Sequence, residues 1–269
     1  MSDNSKVILI TGTSSGIGKA SAEYLALNGH TVYGTSRYPG SYPKPNDYNI
    51  LQLDVADENS CRNVVNQVID KHGKIDVLIN NAGIGIAGDL EHTSIDKCQE
   101  QVDINFTGPL RMIKSVLSIM RRQDSGLIIN IGSIGGLIGL PYQNMYSASK
   151  FAIEGLTEAL HKELYLSKIN IVLVEPGDFR TSFTKRRYYS KTAKQSRAFM
   201  NTLTVIENDE NNGQDPILVG KLLKKIINKS NPRLRYAVGS FDQKLAAMLK
   251  RLLPNRLFDW IIMKHYKVI

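Results

Sequence analysis

A glycine-rich turn between a short apolar segment and a helical pattern constrains the fold of this chain most. The apolar segment Val7–Ile10 runs directly into the sequence TGTSSGIG at 11–18. In a strand, turn and helix of this kind, Gly12 permits the tight turn, Gly16 lets a pyrophosphate approach and Gly18 allows close packing. The helix start offers backbone N–H groups and a positive dipole end to phosphates. A glycine turn alone is often structural, but the strand before it and the helix after it predict a dinucleotide site.

Apolar segments of two kinds alternate along much of the chain. Residues 57–71 carry apolar side chains at helical spacing, whereas 77–79, 127–129 and 171–174 are short apolar runs typical of buried strands. This alternation predicts an α/β fold, a single doubly wound parallel sheet of the Rossmann type with helices on both faces. The ligand crevice of such a sheet lies at the carboxyl ends of its strands. Four residues at those ends should therefore converge: Thr11, Asn80, Ser133 and Pro176.

The sequence YSASK sets Tyr146 and Lys150 four residues apart, and Ser133 precedes them. Residues at this spacing lie on one face of a helix, so we expect the Lys150 ammonium near the Tyr146 hydroxyl. A cation beside a phenol favours the phenolate, which should lower the pKa of Tyr146 from its ordinary value of about 10. Tyr146 would then act as an acid or base beside a carbonyl group. Such pairs also occur on ordinary helix surfaces. This motif therefore indicates a catalytic site only in combination with the glycine turn.

These two motifs, with NNAG at 80–83, Asn105, Ser133 and PG at 176–177, resemble the short-chain dehydrogenase/reductase family. The resemblance extends over about residues 5–182, with the motifs in the family's order and at its spacings. Several independent short motifs in one order are far more specific than any of them alone.

The resemblance implies a role for each catalytic position. Ser133, Tyr146 and Lys150 would be the catalytic residues, and Asn105 would complete a proton relay. Asn105 has an alternative interpretation as a helix-end cap. The chain has Gly132 where the family commonly has the first of two adjacent serines. The second serine position is the catalytic one, so we expect this departure to be harmless.

The resemblance also implies which residues contact the cofactor. Lys150 should hold the nicotinamide ribose as well as act on Tyr146, and Thr181 should reach the nicotinamide carboxamide. The turn supplies the phosphate contacts, and residues after the third and fourth strands line the adenosine. The full set is Gly12, Ser14, Ser15, Gly16, Ile17, Gly18, Arg37, Asp54, Val55, Asn81, Ala82, Gly83, Tyr146, Lys150, Pro176, Gly177 and Thr181.

The end of the second strand predicts which nicotinamide cofactor is used. An NAD site usually carries an acidic residue about 20 positions after the glycine turn, whereas an arginine there accommodates the 2′-phosphate of NADP. No Asp or Glu occurs between Tyr24 and Asn46, and Ser36 and Arg37 stand at the critical place. The sequence therefore predicts NADP rather than NAD. The alternative is that Arg37 simply points into solvent.

Composition is that of one intracellular enzyme domain. With 269 residues and 42% hydrophobic content the chain can bury a large core, so we expect one domain over 1–269. The start MSDNSKVILI lacks the features of a signal peptide, and no segment reaches the roughly 18 apolar residues of a membrane span. We therefore expect a cytoplasmic protein. Cys61 and Cys98 and the five histidines lack disulfide or metal-ligand patterns, so buried thiols and no metal are predicted.

Residues beyond 182 should recognise the substrate. The segment 183–215 shows a basic-aromatic cluster and little periodicity, which predicts a substrate lid or else a plain surface excursion. The segment 241–269 is predicted as a helical extension that helps form an apolar substrate entrance. Its apolar residues either dock onto the core or rest on a membrane surface, aided by surrounding positive charge. That charge comes from Lys244, Lys250, Arg251, Arg256, Lys264 and Lys267, against Asp242 and Asp259.

The net charge of +9 raises the question of an anionic partner. Nucleic-acid binding is disfavoured, because the lysines are spread over helix faces and no binding signature is present. The family resemblance further implies a homodimer or homotetramer through helices around 107–122 and 147–167. An apolar stripe on either helix would equally fit burial against the sheet.

The predicted function is NADP-dependent interconversion of a ketone or aldehyde and an alcohol, with Tyr146 as proton donor or acceptor. The motifs TGTSSGIG, VYGTSR and PGDFRT resemble the branch that contains 17β-hydroxysteroid and retinol dehydrogenases. That branch implies a bulky apolar substrate, a steroid, retinoid or keto-lipid. Two alternatives stay open: a non-catalytic dinucleotide-binding regulator on the same fold, and a reductase of small polar carbonyl compounds or sugars.

Overall fold

A seven-stranded parallel sheet forms the centre of the described part of the molecule. The structure is a computed structural model that describes residues 5–41, 43, 45, 47–190, 196–250 and 252–269. In chain order the strands are β1 (Val7–Ile10), β2 (Thr31–Ser36), β3 (Asn49–Gln52), β4 (Val77–Asn80), β5 (Ile86–Ala87), β6 (Gly126–Ile131), β7 (Ile169–Pro176), β8 (Tyr188–Tyr189) and β9 (Arg235–Val238). The main sheet has the order β3-β2-β1-β4-β6-β7-β9, and β5 pairs with β8 separately.

All six pairings in the main sheet are parallel, with β1 between β2 and β4. Parallel strands need crossover connections, which the helices supply. In chain order the helices are α1 (Gly16–Leu27), α2 (Glu58–His72), α3 (Ile95–Val102), α4 (Gly108–Arg122), α5 (Asn144–Glu163), α6 (Phe183–Arg186), α7 (Arg197–Asn211), α8 (Ile217–Ile227), α9 (Phe241–Leu249) and α10 (Asn255–His265). The predicted doubly wound fold is confirmed.

Alternate residues of the central strands fill two separate cores, one on each face of the sheet. Leu9 and Leu78 pack with α2 and α4 on one face, while Ile8 and Ile79 pack with α1 and α8 on the other. Side chains of a strand point to opposite faces in turn, so a strand covered on both sides must be apolar throughout. The uninterrupted apolar runs in the sequence therefore mark strands covered by helices on both sides.

The segment 183–215 is more ordered than its sequence suggested. It contains α6, β8 and the fifteen-residue helix α7, while residues 191–195 lie outside the described part. Helix α7 buries Phe199, Thr202, Leu203 and Ile206, which follow the i, i+3, i+4, i+7 pattern. The prediction of a weakly patterned segment was therefore wrong over 197–211, since the helical period is present there.

The C-terminal extension consists of α9 and α10, as predicted. Phe258 is buried against Ile134 and Ile138, in the loop that follows β6. This contact places the inner face of the extension over the carboxyl ends of the strands. Arg251, one of the predicted basic residues, lies outside the described part of the chain.

Candidate active site

The glycine turn has the geometry that the sequence predicted. Gly12 and Gly16 have positive φ values of 72° and 59°, a region that side-chain-bearing residues rarely adopt. A Cβ on Gly18 would lie 2.3 Å from the carbonyl oxygen of Gly12 and from the Asn81 side chain. Only glycine fits at position 18, because α1 packs directly against the turn.

The N-terminus of α1 is open to an anion. The N-cap Ser15 makes no side-chain cap hydrogen bond, and the first turn of α1 carries no acidic residue. Backbone N–H groups at a helix start combine with the helix dipole to attract phosphate. Positions 12–18 therefore fit the pyrophosphate of a dinucleotide, with Ser14, Ser15 and Ile17 in the turn beside it.

The segment after β4 braces the turn from behind. The Asn81 side-chain amide donates to the carbonyl oxygens of Thr11 and Gly12, each at 2.9 Å. The Thr11 hydroxyl oxygen accepts from the backbone N–H groups of Asn81 and Ala82, also at 2.9 Å. The amide of Asn81, expected on the adenosine side, thus holds the turn in shape, and Ala82 contacts the turn through Gly12.

The adenosine side of the crevice is formed where β2 and β3 end. Arg37 is exposed immediately after β2, and the chain then turns with the Tyr38 N–H donating to the Ser36 hydroxyl at 3.2 Å. Asp54 accepts from the Ala56 N–H at 3.0 Å, which fixes the turn after β3. Val55 is buried. The predicted positions Arg37, Asp54 and Val55 therefore lie at the same edge of the sheet as the turn.

Sequence reasoning missed a glycine in β2 that lets this edge close. A Cβ on Gly34 would lie 2.3 Å from the Thr13 hydroxyl oxygen and 2.6 Å from the Tyr48 ring. The Tyr48 hydroxyl donates to the Thr13 carbonyl at 3.3 Å, across the turn. A glycine in the interior of a predicted strand was the available signal, since it often marks close approach.

Tyr146 and Ser133 meet where β6 and α5 approach each other. Tyr146 lies in the first turn of α5 and Ser133 two residues after β6. Burial raises the pKa of Tyr146 above its ordinary value, and the hydrogen bond with Ser133 opposes that rise. The pKa of Tyr146 is therefore raised, whereas we expected it to be lowered. The cost of burying a phenolate outweighs the contacts that would stabilise it. Tyr146 is therefore a neutral phenol at neutral pH and can donate a proton.

Lys150 is buried one helical turn behind the phenol. Its ammonium donates to the Ile131 carbonyl at 2.9 Å and lies 5.9 Å from the centre of the Tyr146 ring. Burial lowers the pKa of Lys150 to about 8, while the charge of Glu154 opposes that fall. The predicted proximity of the lysine and the tyrosine is thus present, with the ammonium held by backbone rather than by the phenol.

Asn105 lies in a π-helical turn, Asp103–Thr107, between α3 and α4. Its side chain accepts from the Ile84 N–H at 2.8 Å and donates to the Ile84 carbonyl at 3.0 Å. It also donates at 3.1 Å to Ser149, whose hydroxyl donates to the Tyr146 carbonyl at 2.7 Å. The helix-cap interpretation is wrong, because the Asn105 amide connects the loop after β4 to α5.

A charged network that sequence reasoning missed lies behind Lys150. Arg235 of β9 binds Glu154 of α5, and it binds Glu158 and Glu175 at 2.6 Å each. Glu154 and Glu175 are buried. Burial raises the pKa of Glu154 to about 7, and the hydrogen bond from Arg235 opposes that rise. This network fixes the helix that carries Tyr146 to the edge of the sheet.

The residues after β7 contact both the turn and the C-terminal extension. Thr181 is close to the turn, since a Cβ on Gly16 would lie 3.2 Å from its Cβ. A Cβ on Gly177, next to Pro176, would lie 1.9 Å from the side-chain oxygen of Gln243 in α9. The approach of Gln243 had no signal in the sequence, because the two residues are 66 positions apart and belong to different elements.

The other negative predictions concern metals, disulfides and membrane spans. Within the described ranges, no group of three or more His, Cys, Asp or Glu residues could hold a metal ion. Cys61 and Cys98 are free and buried, as predicted. No helix of the described chain is long and apolar enough to cross a membrane.

Comparison with known proteins agrees with this geometry. The family model described as short chain dehydrogenase matches residues 6–191. A 3-ketodihydrosphingosine reductase of Bacteroides thetaiotaomicron is 43% identical over 98% of each chain. Retinol dehydrogenase 8 of Bos taurus is 34% identical over 95% of this chain and 88% of its own.

Solved structures show the same fold. A short-chain dehydrogenase from Streptomyces avermitilis is 31% identical, covers 94% of this chain and 93% of its own, and superposes with a TM-score of 0.81. Structures of this fold hold NAD in one case and NADP in another. The arrangement of Ser133, Tyr146 and Lys150 beside a dinucleotide crevice suits hydride transfer coupled to proton transfer.

Proposed function

This chain belongs to the short-chain dehydrogenase family and is an oxidoreductase, and we propose that it reduces the ketone of a long-chain lipid with NADPH. The observation that carries the proposal is geometric: the phenol of Tyr146 lies beside Ser133, and the ammonium of the buried Lys150 lies 5.9 Å from the centre of its ring. A neutral phenol is the form required of a proton donor, and reduction of a ketone consumes one proton.

The residues of the chain divide the chemistry between them. The bound nicotinamide supplies the hydride. The hydroxyls of Ser133 and Tyr146 both bind the substrate carbonyl oxygen, and Tyr146 donates its proton there as negative charge develops. Lys150 holds the nicotinamide ribose and stabilises the phenolate left behind. Asn105 holds the loop after β4 against α5, and connects this site to a proton relay.

Two features support a bulky apolar substrate. The rings of Tyr146 and Phe183 pack with centroids 5.9 Å apart, so an aromatic surface borders the phenol. The relative at 43% identity acts on 3-ketodihydrosphingosine, a ketone with a long alkyl chain beside an amine and a hydroxyl. We therefore place the keto-lipid before the steroid and the retinoid of the broader branch.

The proposed function is tested by NADPH consumption with a panel of ketones. We expect turnover with 3-ketodihydrosphingosine, and much weaker turnover with a steroid ketone, retinal and a small sugar ketone. NADPH binding without turnover of any ketone would instead support a dinucleotide-binding regulator. Preference for the sugar would support a polar-carbonyl reductase.

The preference for NADPH rests on Arg37. Its guanidinium is exposed directly after β2, where the 2′-phosphate of NADP would lie, and no acidic side chain occupies β2. A charge-assisted bond to that phosphate contributes roughly 1.5 to 3 kcal/mol. Arg37→Ala should therefore raise the KM for NADPH by about ten- to a hundredfold and change that for NADH much less.

Steady-state kinetics with both cofactors measure this difference. Arg121→Ala is the matched control, since Arg121 is exposed at the C-terminal end of α4, away from the crevice. Equal losses for NADPH and NADH in Arg37→Ala would show that Arg37 has a structural role.

We propose that the outer face of the C-terminal extension rests on a membrane surface. Phe241 is 77% exposed, Leu252 70% and Trp260 48%, although the inner face of the same segment is docked through Phe258. Phe258 docks the inner face onto the core, and the exposed side chains support the membrane interpretation for the outer face. The exposed positions also include two acidic residues, Asp242 and Asp259, and a larger number of basic ones: Lys244, Arg256, Lys264 and Lys267.

Such a face is complementary to an anionic bilayer. Tryptophan and aliphatic side chains insert at the lipid interface while lysine and arginine contact the anionic headgroups. The ammonium of Lys264 lies 4.9 Å from the centre of the Trp260 ring, so charge and ring share one site. An enzyme for a water-insoluble ketone would collect its substrate there.

We expect the full-length protein to bind anionic vesicles at low salt and to lose binding as ionic strength rises. The double variant Leu257→Ser/Trp260→Ser should lose most of this binding in a flotation assay. Leu166→Ser is the control, because Leu166 is 97% exposed beyond the end of α5. Indifference of the wild-type protein to anionic vesicles at low salt would remove the membrane from the proposal.

The remaining expectations stay predictions. They are a single domain over 1–269, a lid role for 183–215, a cytoplasmic location with peripheral membrane contact, and a homodimer or homotetramer through α4 and α5. Light scattering at micromolar concentration measures the last of these.

A further inference from the structure

A polar cluster lies one aromatic ring away from Tyr146. We call it the acidic cluster, and it consists of Asp178, Arg187, Asp209, Glu210 and His265. Within it Arg187 forms an ion pair with Glu210, and the His265 imidazole bonds to Asp209 at 3.0 Å. Its members come from the loop after β7, the residue after α6 and the ends of α7 and α10. The fold thus gathers them from distant parts of the chain.

The ring that joins the cluster to the site belongs to Phe183. Its centroid lies 5.9 Å from that of Tyr146 and 5.6 Å from the guanidinium carbon of Arg187. The charges of Glu210, Arg187 and Asp178 all influence the pKa of Tyr146. A substrate whose carbonyl oxygen meets Tyr146 would therefore place its neighbouring groups beside this cluster.

The cluster has more negative than positive charge. With all three carboxyl groups ionised, they face one guanidinium and one imidazole, so one negative charge is unmatched even when His265 is protonated. Burial, followed by the charges of Glu210 and Asp209, raises the pKa of Asp178 to about 7. A cation placed beside Asp178 would balance the cluster.

A metal ion is not the cation that this geometry suits. No set of three or more metal-ligating side chains is positioned for one within the described residues. Asp178 is instead held by an amide: the Asp178 N–H donates to the Gln243 side-chain oxygen at 3.1 Å, and the Gln243 amide donates to the Asp178 carboxylate oxygen Oδ2. The Gln243 amide occupies Oδ2, so an organic ammonium would bind at Oδ1.

Arg187 provides a second and independent sign of a ligand. Its side chain is 0% exposed, and its Nε and Nη1 atoms have no hydrogen-bond partner among the described residues. A buried donor without a partner is costly. The Tyr189 hydroxyl interacts with this guanidinium, and a ligand oxygen would satisfy the donors that remain. Glu210 already neutralises the guanidinium, which means that an uncharged oxygen such as a hydroxyl is sufficient.

We propose that the acidic cluster binds the polar head of an amino alcohol ketone, with the ammonium on Asp178 and the hydroxyl on Arg187. This proposal rests on the proposed function and names what the site recognises beside the carbonyl. Two surfaces would bind the substrate. The acidic cluster would bind its polar head, and the aromatic and apolar surfaces near Phe183 would contact its alkyl chain. Neither Asp178 nor Arg187 takes part in proton transfer.

Three ketones of equal chain length test the proposal in one detergent. The first is 3-ketodihydrosphingosine, the second the same ketone without its amine, and the third the same ketone without its hydroxyl. For the wild-type protein, kcat/KM with NADPH should fall about tenfold or more when the amine is removed, and severalfold when the hydroxyl is removed. Equal kcat/KM for all three would overturn the proposal without any variant.

Two variants assign the groups to residues. Asp178→Asn should lower the preference for the amine-bearing ketone about tenfold, and Arg187→Lys should lower the preference for the hydroxyl while keeping the ion pair with Glu210. Asp259→Asn is the matched control, because Asp259 is exposed on α10. If Asp178→Asn leaves the ratios of kcat/KM among the three ketones unchanged, the acidic cluster serves only to hold the C-terminal extension in place.

Failure of the proposed function has a different signature. If the wild-type protein reduces none of the ketones, thermal shift with dihydrosphingosine, compared with its amine-free analogue, still tests the cluster. A larger rise in Tm with dihydrosphingosine than with its amine-free analogue would support binding of the ammonium by the acidic cluster, independently of the proposed function. Equal rises in Tm would reject that binding.

Discussion

Tyr146→Phe should reduce turnover by a factor on the order of a hundred to ten thousand while NADPH binding stays nearly unchanged. The substitution removes only the phenolic hydroxyl, which is the proposed proton donor and one of the two groups proposed to bind the carbonyl oxygen. The ring still packs against Phe183, so the surrounding structure should be retained. Single-turnover kinetics give the chemical step, and fluorescence titration with NADPH gives cofactor binding.

Tyr165→Phe is the control for this change, because Tyr165 is exposed just beyond the end of α5. Its turnover should match that of the wild-type protein. A Tyr146→Phe variant with a near-normal chemical step would mean that another group donates the proton, and Tyr146 would then be a positioning residue.

Arg235→Leu should destabilise the protein by about 3 kcal/mol or more. The guanidinium binds two buried carboxylates, Glu154 and Glu175, together with the more exposed Glu158. Removal of one partner from a buried ion network leaves uncompensated charge in a poorly solvated place. Chemical denaturation gives the free energy of unfolding, and Arg233→Leu, at an exposed position two residues earlier, should change it little.

The effect of Arg235→Leu should grow as pH rises. The pKa of Glu154 is about 7 in the folded protein and 4.5 for a free glutamate, so the folded state binds this proton more tightly. Stability from this group is complete below about 4.5 and is lost as pH rises through 7. Loss of the guanidinium raises the folded pKa of Glu154 further, so the loss of stability continues to a higher pH and its total is larger.

Glu154→Gln in the Arg235→Leu background should recover part of the stability at pH 8, because it removes the buried charge. A destabilisation that is equal at pH 5 and pH 8, with no recovery by Glu154→Gln, would show that Arg235 acts by packing alone.

The local motifs of the site could be predicted because their residues are close in sequence. Gly12 and Gly16 fix the turn by backbone geometry and Gly18 by close packing. Tyr146 and Lys150 share a face because a helix brings i and i+4 together. The helical period of α7 was also readable at Phe199, Thr202, Leu203 and Ile206, but it was overlooked among polar residues.

The direction of the pKa shift of Tyr146 could not be predicted in this way. The sequence names the lysine that would lower it but not the burial that raises it. Desolvation depends on every atom packed around the phenol, including Phe183, which is 37 residues away in the chain and in contact only after folding. The two effects have opposite signs, so only the structure decides which is larger.

The sequence by itself determined the doubly wound sheet, the glycine turn and the placement of Tyr146 and Lys150 on one helix face, since each follows from periodicity or from short-range spacing. Only the tertiary structure decided the Arg235 network, the support of Asn105 for the Ile84 loop and the gathering of Asp178, Arg187 and Glu210 near Tyr146. These contacts join elements that lie far apart in the chain. Their energies come from burial and from charge at close range, and neither quantity exists until the sheet has brought the elements together.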